Sequence, residues 1–270
     1  MSRRSVLALA LLAGSVWNAG GADAAPLDAA GAAQQIRALL ALPFATDLVG
    51  ASAAPRFAWV EKRDGLRNIL VADAAGAPKA LTHYTQDDGT DLWGLALSPD
   101  GKTLAYVEGG DPEYPDDPSP NPDLQAFPTH QSVYVVQEDG RAIRAGEGWN
   151  PTFSPDGQML AFIRKGSLFI GPVGKVAKEV TAVRGNLTSL QWAPDGSALM
   201  VTLDRGSHAF IGLWRIRTAS MMFLAPALAQ DSLPAFSPDG RSVAFVREHK
   251  PLSESKGQKG SFWSLHVYDL

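Results

Sequence analysis

The chain contains no cysteine. That absence excludes disulfide scaffolds, thiolate zinc sites, iron–sulfur clusters and cysteine nucleophiles. A charge excess of one sign is also missing. Lys plus Arg is 24 and Asp plus Glu is 28, a formal charge of −4. This is too mild for a nucleic-acid binder or an acidic tail. Beyond the N-terminus no run is apolar for the roughly 18 residues that a membrane helix needs. No His/Asp/Glu spacing suited to a metal occurs, and no cofactor motif is present. The 270 residues are 45% hydrophobic and 19% charged. That composition supports a globular core and excludes wholesale disorder. Gly 26 and Pro 19 both exceed their usual shares, so many tight turns are expected.

The N-terminus reads as an export signal. Arg3 and Arg4 form a basic region, Val6 to Ala13 is a short apolar run, and Ala22-Asp23-Ala24 is an A-x-A cleavage site. The run is too short to span a bilayer. Ser2-Arg3-Arg4-Ser5-Val6-Leu7 also resembles a twin-arginine signal, although its usual Phe and Lys are absent, so Sec and twin-arginine routes both stand. A periplasmic or secreted protein with no membrane contact after cleavage is expected. Residues 1–24 are the signal peptide, 25–47 an N-terminal helix and linker, and 48–270 the main domain. The helix is expected from about Asp28, which can cap it, to Leu42, with Pro43 stopping it. Ile36, Leu39 and Leu40 share one of its faces.

One turn motif decides the architecture. It recurs as Ser98-Pro99-Asp100-Gly101, Ser154-Pro155-Asp156-Gly157, Ala193-Pro194-Asp195-Gly196 and Ser237-Pro238-Asp239-Gly240, at intervals of 56, 39 and 44 residues. Pro presets φ, Asp bonds its own backbone, and Gly takes the positive φ of a hairpin turn. Each copy is followed by an apolar run: Leu104 to Val107, Leu160 to Ile163, Leu199 to Val201 and Val243 to Val246. Third strands are expected at Ser132 to Val136, Ser167 to Ile170, Ala209 to Ile216 and Phe262 to Tyr268. A degenerate first unit without the motif covers Leu48 to Ser52, Arg56 to Val60, Asn68 to Ala72 and Lys79 to Leu81. The spacing is that of propeller blades, which run about 40–45 residues for four strands. The fold class is therefore all-β: a β-propeller of four-stranded blades, with four full blades and a partial fifth.

In such blades the first-to-second turns lie on one propeller face. The second-to-third loops and blade-to-blade links lie on the other. The second face is expected to carry two inserts. One runs from Glu108 to His130 and holds six Pro and five acidic residues between Asp111 and Pro128; the other, from Glu248 to Gly260, is rich in Lys, Ser and Gly. Long loops on a rigid scaffold are where binding concentrates. The tryptophans, including Trp59, Trp93, Trp149, Trp192, Trp214 and Trp263, read as packing between blades.

The segment Asp204-Arg205-Gly206-Ser207-His208 continues through Phe210-Ile211-Gly212, Leu224-Ala225-Pro226 and Asp231-Ser232 into the last turn motif. It resembles the propeller domain of the prolyl oligopeptidase family of serine peptidases, in its exported dipeptidyl- or acylaminoacyl-peptidase branch. Trp59-Val60, Arg67-Asn68, Asp87-Asp88-Gly89 and Asn121-Pro122 agree with it. The repeated turn alone also resembles periplasmic Tol-type propellers. In the peptidase family, catalysis resides in a C-terminal α/β-hydrolase domain with a Ser–Asp–His triad. No G-x-S-x-G nucleophile elbow occurs in these 270 residues; Gly166-Ser167 and Gly206-Ser207 lack its pattern. The five histidines therefore have no nucleophile to serve, and no catalytic residue carries over.

Asp204, Arg205 and His208 are the candidate peptide- or partner-binding residues. Arg205 suits a carboxylate and Asp204 an amino terminus. Alternatively, an Asp–Arg pair and a His simply fix the loop. Asp231 and Ser232 are expected to bond backbone between blades. The reading is a non-catalytic propeller that gates or selects short peptide substrates for a hydrolase domain. A stand-alone periplasmic interaction propeller of the Tol type, with a protein partner, is the alternative, and a propeller enzyme acting on sugars is a third. The family resemblance implies further blades, which would leave this chain an open arc prone to associate.

Overall fold

The computed structural model describes residues 29–114, 116, 131–249 and 261–270. The expected leader, the Asp28 cap and most of both inserts lie outside these residues. The chain divides into two units, Met1–Ala41 and Leu42–Leu270. In the first, α1 spans Ala29–Leu40 with Arg37 in its last turn. Its Ala, Gln and Leu content favours helix, and Pro43 cannot continue it. Ile36 and Leu39 are exposed.

The second unit consists of antiparallel four-stranded sheets in simple up-and-down order, the blades of a β-propeller. The first blade pairs β1 (Phe44–Gly50), β2 (Arg56–Arg63), β3 (Leu66–Asp73) and β4 (Lys79–Ala80). The second pairs β5 (Leu92–Leu97), β6 (Thr103–Glu108), β7 (Ser132–Gln137) and β8 (Ala142–Glu147). The third pairs β9 (Trp149–Phe153), β10 (Met159–Arg164), β11 (Ser167–Pro172) and β12 (Lys178–Ala182). The fourth pairs β13 (Asn186–Trp192), β14 (Ala198–Asp204), β15 (Ala209–Arg215) and β16 (Ser220–Phe223). The fifth has three strands, β17 (Gln230–Phe236), β18 (Ser242–His249) and β19 (Phe262–Asp269). A single parallel bridge, Ala209↔Gln230, joins it to the fourth.

The first strand begins at Phe44, earlier than the expected Leu48. Asp47 takes φ +54° and the register shifts between Thr46 and Val49, so the strand resumes after a bulge. Inner strands of other blades use the same device. Gly94, Asn150 and Leu233 have φ of 59°, 55° and 51° beside register shifts. The first two blades also meet there, where Gly94 N donates to Asp47 Oδ2 at 2.9 Å.

The repeated turns close as their chemistry requires. Gly101 N donates to Ser98 O at 2.8 Å, Ser98 Oγ donates to Asp100 Oδ1 at 2.7 Å, and Thr103 N donates to Ser98 Oγ at 3.0 Å. Ser154 and Ser237 repeat this pattern. Ala193 lacks the hydroxyl, but Asp195 still accepts from Ser197 N at 2.9 Å, as Asp100 does from Lys102 N at 3.1 Å. The turns also follow one another around the arc. A Cβ on Gly157 would meet Pro99 Cδ at 3.5 Å, one on Gly196 Pro155 Cδ at 3.7 Å, and one on Gly240 Pro194 Cδ at 3.4 Å.

The core lies between blades. In β6, Leu104 and Tyr106 join Val60, Ile69 and Val71 of the first blade, while Ala105 and Val107 join Phe153 and Phe162 of the third. Alternate side chains point to opposite faces of a strand, so a second strand between two neighbours is buried on both. That explains the continuous apolar runs of β6, β10 and β14. In the end blades, β2 and β18 alternate between buried and partly exposed residues. Among the described residues no strand pairing links the fifth blade to the first.

Candidate functional site

The topology places β2–β3, β6–β7, β10–β11, β14–β15 and β18–β19 connections at one end of the blades, together with the blade-to-blade links. The repeated turns occupy the other end. Two polar clusters stand on the loop face.

The first contains the residues expected from sequence. Asp204, Arg205 and His208 come together with Arg184, Asn186 and Ser207 around an open depression. The loop is held largely by its own contacts. Asp204 Oδ1 accepts from Gly206 N at 2.7 Å, and Arg205 N donates to His208 O at 2.9 Å. Arg205 Nε donates to Arg184 O at 2.9 Å, and the guanidinium carbon lies 5.3 Å from the Phe210 ring centre. Gln230 Nε2 donates to Gly206 O at 2.7 Å, tying the loop to the fifth blade. His208 packs edge-on to Phe210, and its Nδ1 is 3.0 Å from Ser207 Oγ. Among the described residues no carboxylate orients His208, so this Ser–His contact lacks the third member of a nucleophilic triad. The Nη groups of Arg205 have no acceptor among the described residues. The cluster therefore combines a self-fixed loop with an exposed guanidinium and a half-buried carboxylate.

Sequence reasoning missed the second cluster, where the first two blades meet. Tyr84 Oη donates to Glu108 Oε2 at 2.5 Å and lies 3.3 Å from Tyr106 Oη. Tyr106 stacks on its cross-strand partner Tyr134 at 5.6 Å. Arg67 joins Asp87 at 3.0 Å and Asp91 at 2.9 Å, and Lys62 reaches Asp91 at 3.3 Å. Asn68 Oδ1 accepts from Tyr84 N at 2.7 Å and from Thr82 Oγ1 at 3.1 Å. Arg67, Tyr84, Gln86, Asp88, Thr90, Leu92 and Glu108 line a cavity of about 30 Å³, the scale of about one water. Burial pushes Tyr106 up to about 12. Burial, and then the bond to Glu108, raise Tyr84 well above the ordinary phenol value. Burial also raises Tyr134. These phenols stay protonated at neutral pH, and Tyr84 uses its proton to donate to Glu108. The members come from separate strands and one link, so no spacing in the sequence marks them. The pairs Arg67-Asn68 and Asp87-Asp88 were the visible trace.

Asp231 differs from its expectation. It does not bond backbone between blades but pairs with the side chain of Arg247. Trp192 and Trp214 are buried between blades as expected, and Trp93 Nε1 and Trp149 Nε1 donate to Gly109 O and Asp116 Oδ2. Trp263 is exposed and lies on the side of the fifth blade turned away from the fourth. Among the described residues no group of three or more His, Asp or Glu could hold a metal ion, and no helix is long and apolar enough to cross a membrane.

No family model matches the sequence. The chain is 26% identical to a protein of Bacillus subtilis named as the uncharacterised peptidase YuxL, across 60% of this chain and 30% of that one. Its structure is similar to that of a prolyl endopeptidase, with TM-score 0.59, 16% identity, 88% of this chain and 38% of the other covered. TolB from Acinetobacter baumannii overlaps at TM-score 0.48 and 21% identity, across 82% of this chain and 52% of that one. The chain thus spans about a third of the length of YuxL and of the endopeptidase. The relation is to peptidases in sequence and to propellers in fold, and a fold alone does not assign chemistry.

Proposed function

We propose that this chain is the non-catalytic propeller of an exported serine peptidase of the prolyl oligopeptidase type. On this reading its loop face meets an α/β-hydrolase domain and gates or selects short peptides. The observation that carries the proposal is the 26% identity to YuxL, which is named a peptidase. The propeller likeness to a prolyl endopeptidase supports it at the level of fold. Arg205 would take a peptide carboxylate and Asp204 an amino terminus. The reading calls on no cofactor, and the A-x-A site at Ala22-Asp23-Ala24 would deliver a periplasmic or secreted protein beginning near Ala25.

The genomic frame after codon 270 tests the peptidase reading. A continuing frame that encodes G-x-S-x-G on a strand–turn–helix supports it. A native stop codon with a well-folded product rejects it in favour of a periplasmic interaction propeller. The purified 270-residue chain should not turn over chromogenic aminoacyl substrates, because its sequence holds no G-x-S-x-G elbow to expose a nucleophile. Turnover titratable with a serine-directed phosphonate would refute the non-catalytic role. N-terminal sequencing of the product exported in a Gram-negative host should start near Ala25; an intact Met1 would refute the leader.

A further inference from the structure

We propose that Arg205 and Arg184 together form a site for one carboxylate of a peptide, and that this depression selects peptides by their negative charge. The inference deepens the reading of this loop as peptide-binding and rests on it, but it calls on no hydrolase domain.

The first observation is that the guanidinium of Arg205 is already held in place. Its Nε donates to Arg184 O at 2.9 Å, and its carbon stands 5.3 Å from the Phe210 ring centre. Phe210 packs in turn on Phe223 at 5.7 Å. Gly185, with φ +118°, leaves room for the stem, since a Cβ there would meet Arg205 Cγ at 2.9 Å. Gln230 Nε2 holds the loop from the fifth blade. The stem and Nε are thus engaged, while the two Nη groups face solvent with no acceptor among the described residues. A guanidinium fixed in this way loses little freedom on binding.

The second observation is unmatched charge. Elsewhere at this end of the blades arginines find carboxylates: Arg63 pairs with Glu61, Arg67 with Asp87 and Asp91, and Arg164 with Glu147. Neither Arg184 nor Arg205 has a carboxylate partner among the described residues, and both are exposed. Asp204 is the one carboxylate that lines the depression, and its Oδ1 is taken by Gly206 N at 2.7 Å. Two cations and one anion leave an excess of one positive charge.

The third observation is the chemistry of the remaining lining. Asn186, Ser207 and His208 add side chains able to donate, around a depression of about 540 Å³. That is room for a peptide side chain or terminus. The planar fork of an arginine matches the two oxygens of a carboxylate. Asp204 sets the limit, because its charge opposes a phosphate dianion more than a carboxylate monoanion. The carboxylate is that of an acidic side chain or of a C-terminus.

Calorimetry on the full-length gene product tests this, with the elbow serine, if the product carries one, changed to Ala so that peptides are not cut. The ligands are N-acetyl-Ala-Glu-Ala-amide, N-acetyl-Ala-Gln-Ala-amide and N-acetyl-Ala-Gln-Ala with a free C-terminus. A charged peptide should bind about tenfold tighter than the neutral one, the scale of charge-assisted hydrogen bonds. The tighter of the two charged peptides names the source of the carboxylate. Arg205→Gln should abolish the preference and Arg184→Gln should reduce it. Arg205→Lys keeps the charge without the fork and should also reduce it. Arg241→Gln, at an exposed arginine beside the turn at the opposite end of the blades, should leave it unchanged. Inorganic phosphate should displace the peptide no better than acetate. Melting temperature checks the fold of each variant; if Arg205→Gln does not fold, Arg205→Lys and Arg184→Gln decide. The proposal is overturned if the neutral peptide binds as well as both charged ones, or if the preference survives in the folded Arg205 and Arg184 variants. It is equally overturned if Arg241→Gln lowers the preference as much, or if phosphate displaces better than acetate. The frame after codon 270 is a separate outcome. A stop codon there removes the peptidase and leaves this site standing, whereas equal binding of all three peptides removes this site and leaves the peptidase.

Discussion

Arg247 forks onto Asp231 in the interior of the fifth blade. Nε meets Oδ1 at 2.7 Å and Nη2 meets Oδ2 at 2.8 Å, while Nη2 also donates to Ala225 O at 2.6 Å. The side chains are 8% and 1% exposed. The guanidinium carbon lies 5.3 Å from the Phe245 ring centre. The pair therefore joins the inner strand, the second strand and the incoming link at one point. Asp231, by bonding, holds Arg247 above its ordinary value despite burial.

Asp231→Ala should be strongly destabilising, because it leaves a buried cation without its partner. Such truncations cost about 3–5 kcal/mol. Replacing both members, as Asp231→Leu with Arg247→Met, should recover most of that loss, since an apolar pair needs no compensation for burial. Urea unfolding of the two variants measures the difference. A cost below about 1 kcal/mol for Asp231→Ala, the range of a surface pair, would show that Arg247 finds water in the folded chain.

Acid should weaken the propeller through its repeated turns. The Ser98 hydroxyl and then Lys102 N hold Asp100 below the usual carboxylate range, and Ser154 and Ser237 do the same for Asp156 and Asp239. The Ser197 hydroxyl and backbone lower Asp195. A carboxyl depressed in the folded state contributes stability above its unfolded pKa of about 3.9. That stability is lost as pH falls through the folded value. Melting temperature should be flat near neutrality and fall below about pH 4. Converting all four to Asn should lower stability at neutral pH and flatten the acid limb. An unchanged acid limb in that variant would place the proton uptake elsewhere.

Alkali acts on the other end of the blades. Burial raises Tyr84, Tyr106 and Tyr134 above the unfolded value, with Tyr106 pushed up to about 12. A group raised in the folded state gives stability that is whole below its unfolded pKa and declines as pH rises towards the folded one. Stability should therefore fall from about pH 10 upward. Part of the phenolate absorbance at pH 10 should appear only when urea unfolds the chain. Tyr84→Phe removes the donor to Glu108 and should shrink that delayed part. Full phenolate absorbance in the folded protein at that pH would mean the tyrosines are open to solvent.

The blades were legible because one turn chemistry repeats and each copy precedes an apolar strand. Ser98, Ser154 and Ser237 with their aspartates are local devices, so their contacts follow from neighbouring residues alone. The bulge at Asp47 was not legible, since Asp favours turns and positive φ for many reasons. The Tyr84 cluster was hidden for a different reason. Tyr84 reaches Tyr106 and Glu108 only because two blades pack face to face, and tertiary packing has no period in the sequence. Asp204, Arg205 and His208 were found together, but what their loop binds depends on surfaces beyond itself.

Two glycines separate packing from backbone strain. Gly148 forms the whole link between β8 and β9, with φ +145°, and its N donates to Gln131 O at 3.1 Å. A Cβ there would meet Ile163 O at 2.4 Å and Phe162 Cδ2 at 2.6 Å. Neither neighbour can give way. Ile163 belongs to a paired strand, and Phe162 is fully buried and stacked on Phe169 at 5.5 Å. Gly206 has φ +80° in the Asp204–His208 loop, with nothing within 4 Å of an added Cβ. Gly206→Ala should therefore carry only the left-handed backbone cost, about 1–2 kcal/mol. Gly148→Ala should add overpacking of about 1–3 kcal/mol to a similar strain, and its near-ultraviolet circular dichroism should change as Phe162 moves. Chemical unfolding of both variants gives the comparison. If Gly206→Ala costs as much as Gly148→Ala, the loop is held more tightly than its open surroundings imply, and its rigidity would then have to come from contacts beyond the loop.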